Sequence, residues 1–385
     1  MIILMNPTIS TWDELSIPRE LLRGIYNYGF ENPSPIQSVA ISPILEGKNI
    51  IAQAQSGTGK TATFTIGALS ITDTTRASTQ TIILAPTREL VKQISTVVSN
   101  LGKFIRNLRI KVCVGGTSIQ HELNQLRYDP PHIIIGCPGR IVDCIQNKGI
   151  DLSNIKIVIL DEADELLSSG FILQIQQIIE AIPSTSQVAL FSATIPEHIR
   201  PIINNIFTTP PLEILVKKDE LTLEGISQYY VALNDDIHKY DTLRDLYKYM
   251  VMSQCIIYCN SVVRVVSLHD QLVRDGFAVS CIHGEMDKRE REASFDEFRK
   301  GSARILISTN ITSRGIDIQQ VSIVINYDIP YDVSNYLHRI GRSGRWGRKG
   351  TGINFITRKD VNKVKEIESY YDTVIEELPE TWYSR

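Results

Sequence analysis

Short apolar runs alternate with helical stretches along the whole chain, in two blocks, and few folds accommodate that alternation. In the first block, runs suited to strands fall at 49–53, 81–85, 111–114, 132–136, 155–160 and 187–191, with helical patterns between them, as at 88–104 and 171–182. In the second they fall at 254–259, 278–282, 304–308, 321–327 and 351–357, with helical stretches at 261–275, 288–300 and 333–341. Strands separated by helices argue for parallel sheets. A charged stretch near 217–224, after Pro210-Pro211, reads as the join. The expectation is an α/β protein of two tandem domains, 1–217 and 225–385, each a parallel sheet flanked by helices, with a linker over 218–224.

The loop between the first apolar run and the next helix is specialised. It reads Ala54-Gln55-Ser56-Gly57-Thr58-Gly59-Lys60-Thr61. Gly57 and Gly59 let backbone N–H groups approach a phosphate without side-chain hindrance. The N-terminus of the following helix adds partial positive charge. Lys60 has the reach to meet β- and γ-phosphates, and the Thr61 hydroxyl can hold Mg²⁺. The general phosphate-loop pattern begins with Gly, where this chain has Ala54.

A second signal follows the run Ile155–Leu160, in Asp161-Glu162-Ala163-Asp164. Carboxylates at the carboxyl end of a parallel strand lie where such sheets bind ligands. Asp161 is expected to hold Mg²⁺ through water, and Glu162 to orient or deprotonate an attacking water. Asp164 is expected to tie the site to neighbouring loops, or to serve only as a helix-start carboxylate.

Charge restricts the partners. The net charge is −3, so any nucleic-acid surface must be local. One basic stretch, His338-Arg339-Ile340-Gly341-Arg342-Ser343-Gly344-Arg345, spaces its cations through small residues. Arginines of this kind can stabilise transferring phosphoryl charge. The six cysteines include no C-x-x-C pair, so a zinc site is not expected. No apolar run reaches bilayer-spanning length, and the start lacks the basic region of a signal peptide, so no membrane association is expected.

These residues resemble the DEAD-box RNA helicases nearly end to end, which implies two RecA-like domains, ATP and Mg²⁺. Gly29-Phe30-Glu31-Asn32-Pro33-Ser34-Pro35-Ile36-Gln37 is similar to the family's Q motif, which assigns Gln37 to the adenine edge and Phe30 to its ring. The family's upstream aromatic, usually Phe, is Trp12 here. The resemblance places RNA contacts at Thr87, Arg88, Gly115, Gly116, Pro138, Gly139, Arg140, Arg291 and Thr309. It places coupling of hydrolysis to unwinding at Ser192 and Thr194, nucleotide contacts at Gly315 and Asp317, and arginine fingers with their His at His338, Arg342 and Arg345. Few aromatic residues lie in the RNA motifs, so the grip is expected on the sugar-phosphate backbone, without sequence specificity.

Within the family the chain is similar to the translation-initiation branch and to its exon-junction and ribosome-assembly paralogues. The expected activity is separation of short RNA duplexes by ATP-driven domain closure, in a cytoplasmic monomer served by a helical-repeat scaffold protein. The alternative is an ATP-dependent RNA clamp in nuclear mRNA processing or ribosome assembly. Asn310, which replaces an aspartate, and Cys137, which replaces a threonine, keep it open; a third departure is Lys288 in place of a glutamine.

Overall fold

The computed structural model describes residues 2–4, 9–54, 57–116, 118–168, 170–215, 226–249, 254–310, 321–343 and 350–379. Ser56, the linker 218–224, Gly315, Asp317 and Arg345 lie outside the described residues, as does the side chain of Lys288. The chain divides into two compact units, Met1–Lys217 and Lys218–Arg385.

The first unit is built on strands β1 (Ile2–Leu4), β2 (Ile50–Gln53), β3 (Thr81–Leu84), β4 (Ile110–Cys113), β5 (Ile133–Gly136), β6 (Ile157–Asp161), β7 (Gln187–Ser192) and β8 (Leu212–Leu215). They form one sheet in the order β1-β8-β2-β7-β6-β3-β5-β4, every pairing parallel. Its central strands are apolar at successive positions because both faces are covered. Ile50, Ala52, Ile83, Ile157, Ile159 and Phe191 enter one core. That core is shared with helices α1 (Arg19–Asn27), α2 (Pro35–Leu45), α3 (Lys60–Ile71) and α4 (Arg88–Leu101). Their neighbours Ile51, Ile82, Leu84, Val158, Leu160 and Leu190 enter a second core. Helices α5 (Ile119–Tyr128), α6 (Pro138–Gln146), α7 (Ala163–Ser168), α8 (Ile172–Ala181) and α9 (Arg200–Ile206) cover that side.

The strand order sets the site. β2, β7 and β6 are adjacent, so the phosphate loop, Ser192-Ala193-Thr194 and Asp161-Glu162 leave the same edge of the sheet side by side.

The second unit has β9 (Ile226–Ala232), β10 (Cys255–Tyr258), β11 (Val279–Ile282), β12 (Ile305–Ser308), β13 (Ile323–Asn326), β14 (Gly350–Ile356) and β15 (Glu376–Glu377). The order is β11-β12-β10-β13-β14-β9-β15, again all parallel. Its helices are α10 (Lys239–Tyr249), α11 (Val262–Arg274), α12 (Lys288–Lys300), α13 (Val333–Ile340) and α14 (Val361–Tyr371). Four strands, β1, β8, β9 and β15, were not legible as apolar runs. They sit at or next to sheet edges, where Gln228 is the one buried residue of β9 and β15 is only two residues long.

Candidate nucleotide and nucleic-acid site

The phosphate loop begins where β2 ends. Gly57 and Gly59 both have positive φ, 84° and 102°, and Gly59 is the left-handed N-cap of α3. That conformation strains any residue with a Cβ, and the space is closed as well, because a Cβ on Gly59 would lie 2.6 Å from Gln37 Nε2. Lys60 is buried and donates to the carbonyl of Ala54 at 2.6 Å, folding back across its own loop. Thr58 and Thr61 flank it, Thr61 in the first turn of α3.

Gln37 is buried at the start of α2, where its Oε1 accepts from the Ser34 amide at 2.7 Å in a capping box. Its Nε2 donates toward the carbonyl of Gly59 at 3.4 Å. The Q-motif glutamine therefore braces the phosphate loop directly, a contact that sequence spacing could not reveal. Phe30 packs on Tyr28, with centroids 4.9 Å apart, and on Trp12 at 6.3 Å. Trp12 is fully buried in the core.

Asp161 closes β6 and is 3 % exposed. Burial, reinforced by the Glu162 carboxylate and opposed by Lys60, pushes its pKa up to about 7. Its Oδ1 accepts from the amide of Glu162 at 3.0 Å. Glu162 itself has φ 51°, left-handed for a residue with a side chain, and is buried. Strain of this sort persists only where surrounding packing holds it, often at functional sites.

Ser192, Thr194 and Asp164 come together at the ends of β7 and β6. Thr194 Oγ1 donates to Asp164 Oδ2 at 2.6 Å, Ser192 Oγ donates to the Thr194 carbonyl at 2.7 Å, and the Asp164 amide points at Ser192 Oγ at 3.4 Å. The amide of Ala54 donates to the carbonyl of Ser192 at 3.1 Å, so the chain of bonds runs from the carboxylates to the phosphate loop.

The loops after β3, β4 and β5 carry the residues assigned to RNA. Thr87 caps α4, accepting from the Leu90 amide at 3.2 Å, and so fixes the first helical residue, Arg88. The Arg88 guanidinium lies over Gly115 and Gly116, whose hypothetical Cβ atoms would approach it to 3.2 and 3.1 Å. Pro138 is the first residue of α6, and Gly139 faces open space. Arg140 is not brought out beside Arg88. It is 8 % exposed and pairs with buried Glu122 at 3.5 Å. Glu122 in turn lies with the Cys113 and Cys144 sulfurs, within 4.8 Å of one another, a clustering that cysteine spacing did not suggest.

In the second unit, Arg291 on α12 is held by two backbone carbonyls, Met286 at 3.1 Å and Gly284 at 2.8 Å. Thr309 follows β12 directly, and His338 and Arg342 lie at the end of α13. Arg339, read with its neighbours as part of one basic stretch, is instead fully buried.

A phosphate loop leaving a central strand, with paired carboxylates two strands away in a parallel sheet, defines a nucleotide-binding domain of the phosphate-loop class. Comparison with known proteins narrows this. The DEAD/DEAH box helicase model matches residues 34–202, and the helicase conserved C-terminal domain model matches 238–347. The ATP-dependent RNA helicase eIF4A of Pyricularia oryzae is 50% identical over 374 residues, 97% of this chain and 94% of that one. The ATP-dependent RNA helicase fal1 of Schizosaccharomyces pombe is 49% identical over 96% of this chain and 93% of its own. The structure of S. cerevisiae Dbp5 bound to RNA and ADP BeF3 is similar at TM-score 0.89 and 35% identity, covering 96% of this chain and 95% of that one. The chain belongs to the DEAD-box family of ATP-dependent RNA helicases.

Proposed function

We propose that this protein uses ATP to separate short RNA duplexes during translation initiation. The observation that carries the chemistry is the buried pair Asp161-Glu162 placed beside the phosphate loop by the order β2-β7-β6. The translation role is supported by the near full-length similarity to initiation-factor relatives.

In this reading the backbone of 56–59 cradles the phosphates, Lys60 exchanges the Ala54 carbonyl for phosphate oxygen, and Gln37 with Phe30 selects adenine. Gly315 and Asp317 meet the ribose. Hard oxygen donors suit Mg²⁺, and the Thr61 hydroxyl and the Asp161 carboxylate are such donors. A carboxylate pushed up to about 7 by burial and by a second carboxylate gains from a divalent cation nearby. Bound Mg²⁺ would supply charge neutralisation for the phosphoryl oxygens. Glu162 orients the attacking water, and His338, Arg342 and Arg345 contribute from the second unit. Arg88, Gly115, Gly116, Pro138, Gly139, Arg291 and Thr309 hold RNA by its backbone, while Arg140 braces this surface through Glu122. ATP and RNA each engage both units, so their binding energies couple and closure follows. The protein is proposed to be a cytoplasmic monomer that works with a helical-repeat scaffold.

Steady-state ATPase with and without a long unstructured RNA at low salt tests this reading. Strong stimulation is expected. Little stimulation together with ATP-dependent retention of RNA would replace it with a clamp, the reading that the neutral Asn310 and the Cys137 thiol favour.

A further inference from the structure

In the second unit the carboxyl ends of β12, β10 and β13 converge on one side chain of α13. Arg339 is wholly buried. Its Nε donates to Oδ1 of Asn310 at 2.7 Å, one terminal nitrogen to Oδ1 of Asn326 at 3.2 Å and to the Asp328 carbonyl at 2.7 Å, and the other to Oδ1 of Asn260 at 2.8 Å. The cation also lies 5.3 Å from the centroid of the Tyr258 ring. Every one of these acceptors is neutral. The nearby Asp328 carboxylate is engaged elsewhere, by Lys239 at 3.0 Å, Arg264 at 3.1 Å and the Asn260 amide at 3.1 Å. Among the described residues no carboxylate pairs with Arg339. A cation taken out of water without a countercharge is held only by good hydrogen-bond geometry.

The planar fork explains why arginine stands here. It satisfies acceptors from the ends of three strands at once, which a lysine ammonium on a flexible stem cannot do. Asn310 belongs to the turn that also carries Thr309, and the Arg342 amide donates to the Arg339 carbonyl at 3.2 Å. The guanidinium therefore joins the turn after β12 to the helix end bearing His338 and Arg342.

We propose that Arg339 is a positioning residue that locks the Thr309 turn to the arginine-bearing end of α13, and that neutral Asn310 sets the strength of that lock. This rests on the reading above, in which Thr309 meets RNA and Arg342 meets nucleotide. An amide oxygen accepts from a guanidinium less strongly than a carboxylate does, so the link here is weaker than an ion pair. The chain retains RNA-to-nucleotide communication through a bond that exchanges readily.

The test compares the full chain with Asn310→Ala and Asn310→Asp, by ATPase kinetics at saturating single-stranded RNA and by thermal unfolding. Asn310→Ala is expected to lower RNA-saturated kcat about fivefold, the scale of one neutral hydrogen bond, with KM for ATP little changed. Asn310→Asp is expected to recover kcat above the Ala variant and to melt above the parent. Asn310→Ala with parental kcat, or with kcat and KM altered by the same factor, overturns the proposal. If the parent shows no RNA stimulation, the helicase reading fails by itself. Melting then still decides the lock: the order Asp above Asn above Ala supports it, and any other order overturns it.

Discussion

At the scale of single residues, the chemistry concentrates in a few strained or desolvated groups. Glu162 occupies a left-handed backbone conformation next to a carboxylate that burial pushes up to about 7. The Glu162 charge adds to the cost of ionising buried Asp161, and a cation or nucleotide-bound metal relieves it. Glu162→Gln removes that charge and, on the proposed reading, the group that activates water. It is expected to lower ATP turnover by about 10²–10⁴, the usual worth of general base catalysis, while retaining ATP binding. Single-turnover hydrolysis with a parallel nucleotide-binding titration checks this, and a variant hydrolysing at the parental rate would remove Glu162 from the role of base. The motif residues Lys60, Asp161 and Glu162 were legible because glycine spacing and a strand-end carboxylate pair carry a mechanism. The Gln37 brace on Gly59 was not, because it joins two segments through a bond whose length depends on how helices pack, and the orientation of Lys60 toward Ala54 was not, because it depends on how the loop folds back on itself.

Secondary-structure elements present these residues through their termini. Gly59 and Thr87 are the N-caps of α3 and α4, so the first turns of these helices hold Lys60 and Arg88 in fixed positions. α6 starts less firmly. Its N-cap is Cys137, with no side-chain cap bond and a thiol that burial pushes up to about 11. Restoring a hydroxyl in Cys137→Thr is expected to stabilise the first unit by about 0.5–1 kcal/mol, visible as a higher urea midpoint at unchanged slope. The Gly115-Gly116 turn is equally specific. Gly116 has φ 89°, and a Cβ there would lie 3.1 Å from Arg88 Nη1. Gly116→Ala is expected to displace Arg88 and weaken RNA binding by roughly tenfold, equivalent to about 1.4 kcal/mol, as read by fluorescence anisotropy with labelled single-stranded RNA. Unchanged affinity would mean that Arg88 does not bind RNA from its observed place. The strands that carry function were visible as doubly apolar runs, whereas β8 and β9 were not, because strands near a sheet edge need less continuous apolar sequence.

For the whole molecule, charge is the informative quantity. A chain of net charge −3 grips RNA with few cations, and Arg140 is withdrawn into an ion pair with Glu122. The two cations left in the proposed RNA surface, Arg88 and Arg291, imply a slope of log affinity against log salt of about −1.4 on single-stranded RNA. A salt titration of RNA affinity yields that slope, and a value far steeper would mean a basic surface beyond the motif residues.

The two-block alternation of strands and helices, the phosphate loop and the carboxylate pair were determined by sequence alone, because each depends on local periodicity or on residue types at fixed spacing. Tertiary structure decided which cations face outward. Arg88 and Arg140 are equally basic in sequence, yet one overlies two glycines and the other is buried against a carboxylate. Arg339 and Arg342 are three residues apart on one helix end, yet Arg339 alone is enclosed by three asparagines from the ends of separate strands. Burial and partner choice arise from segments distant in sequence, and only the packed sheets bring those segments together.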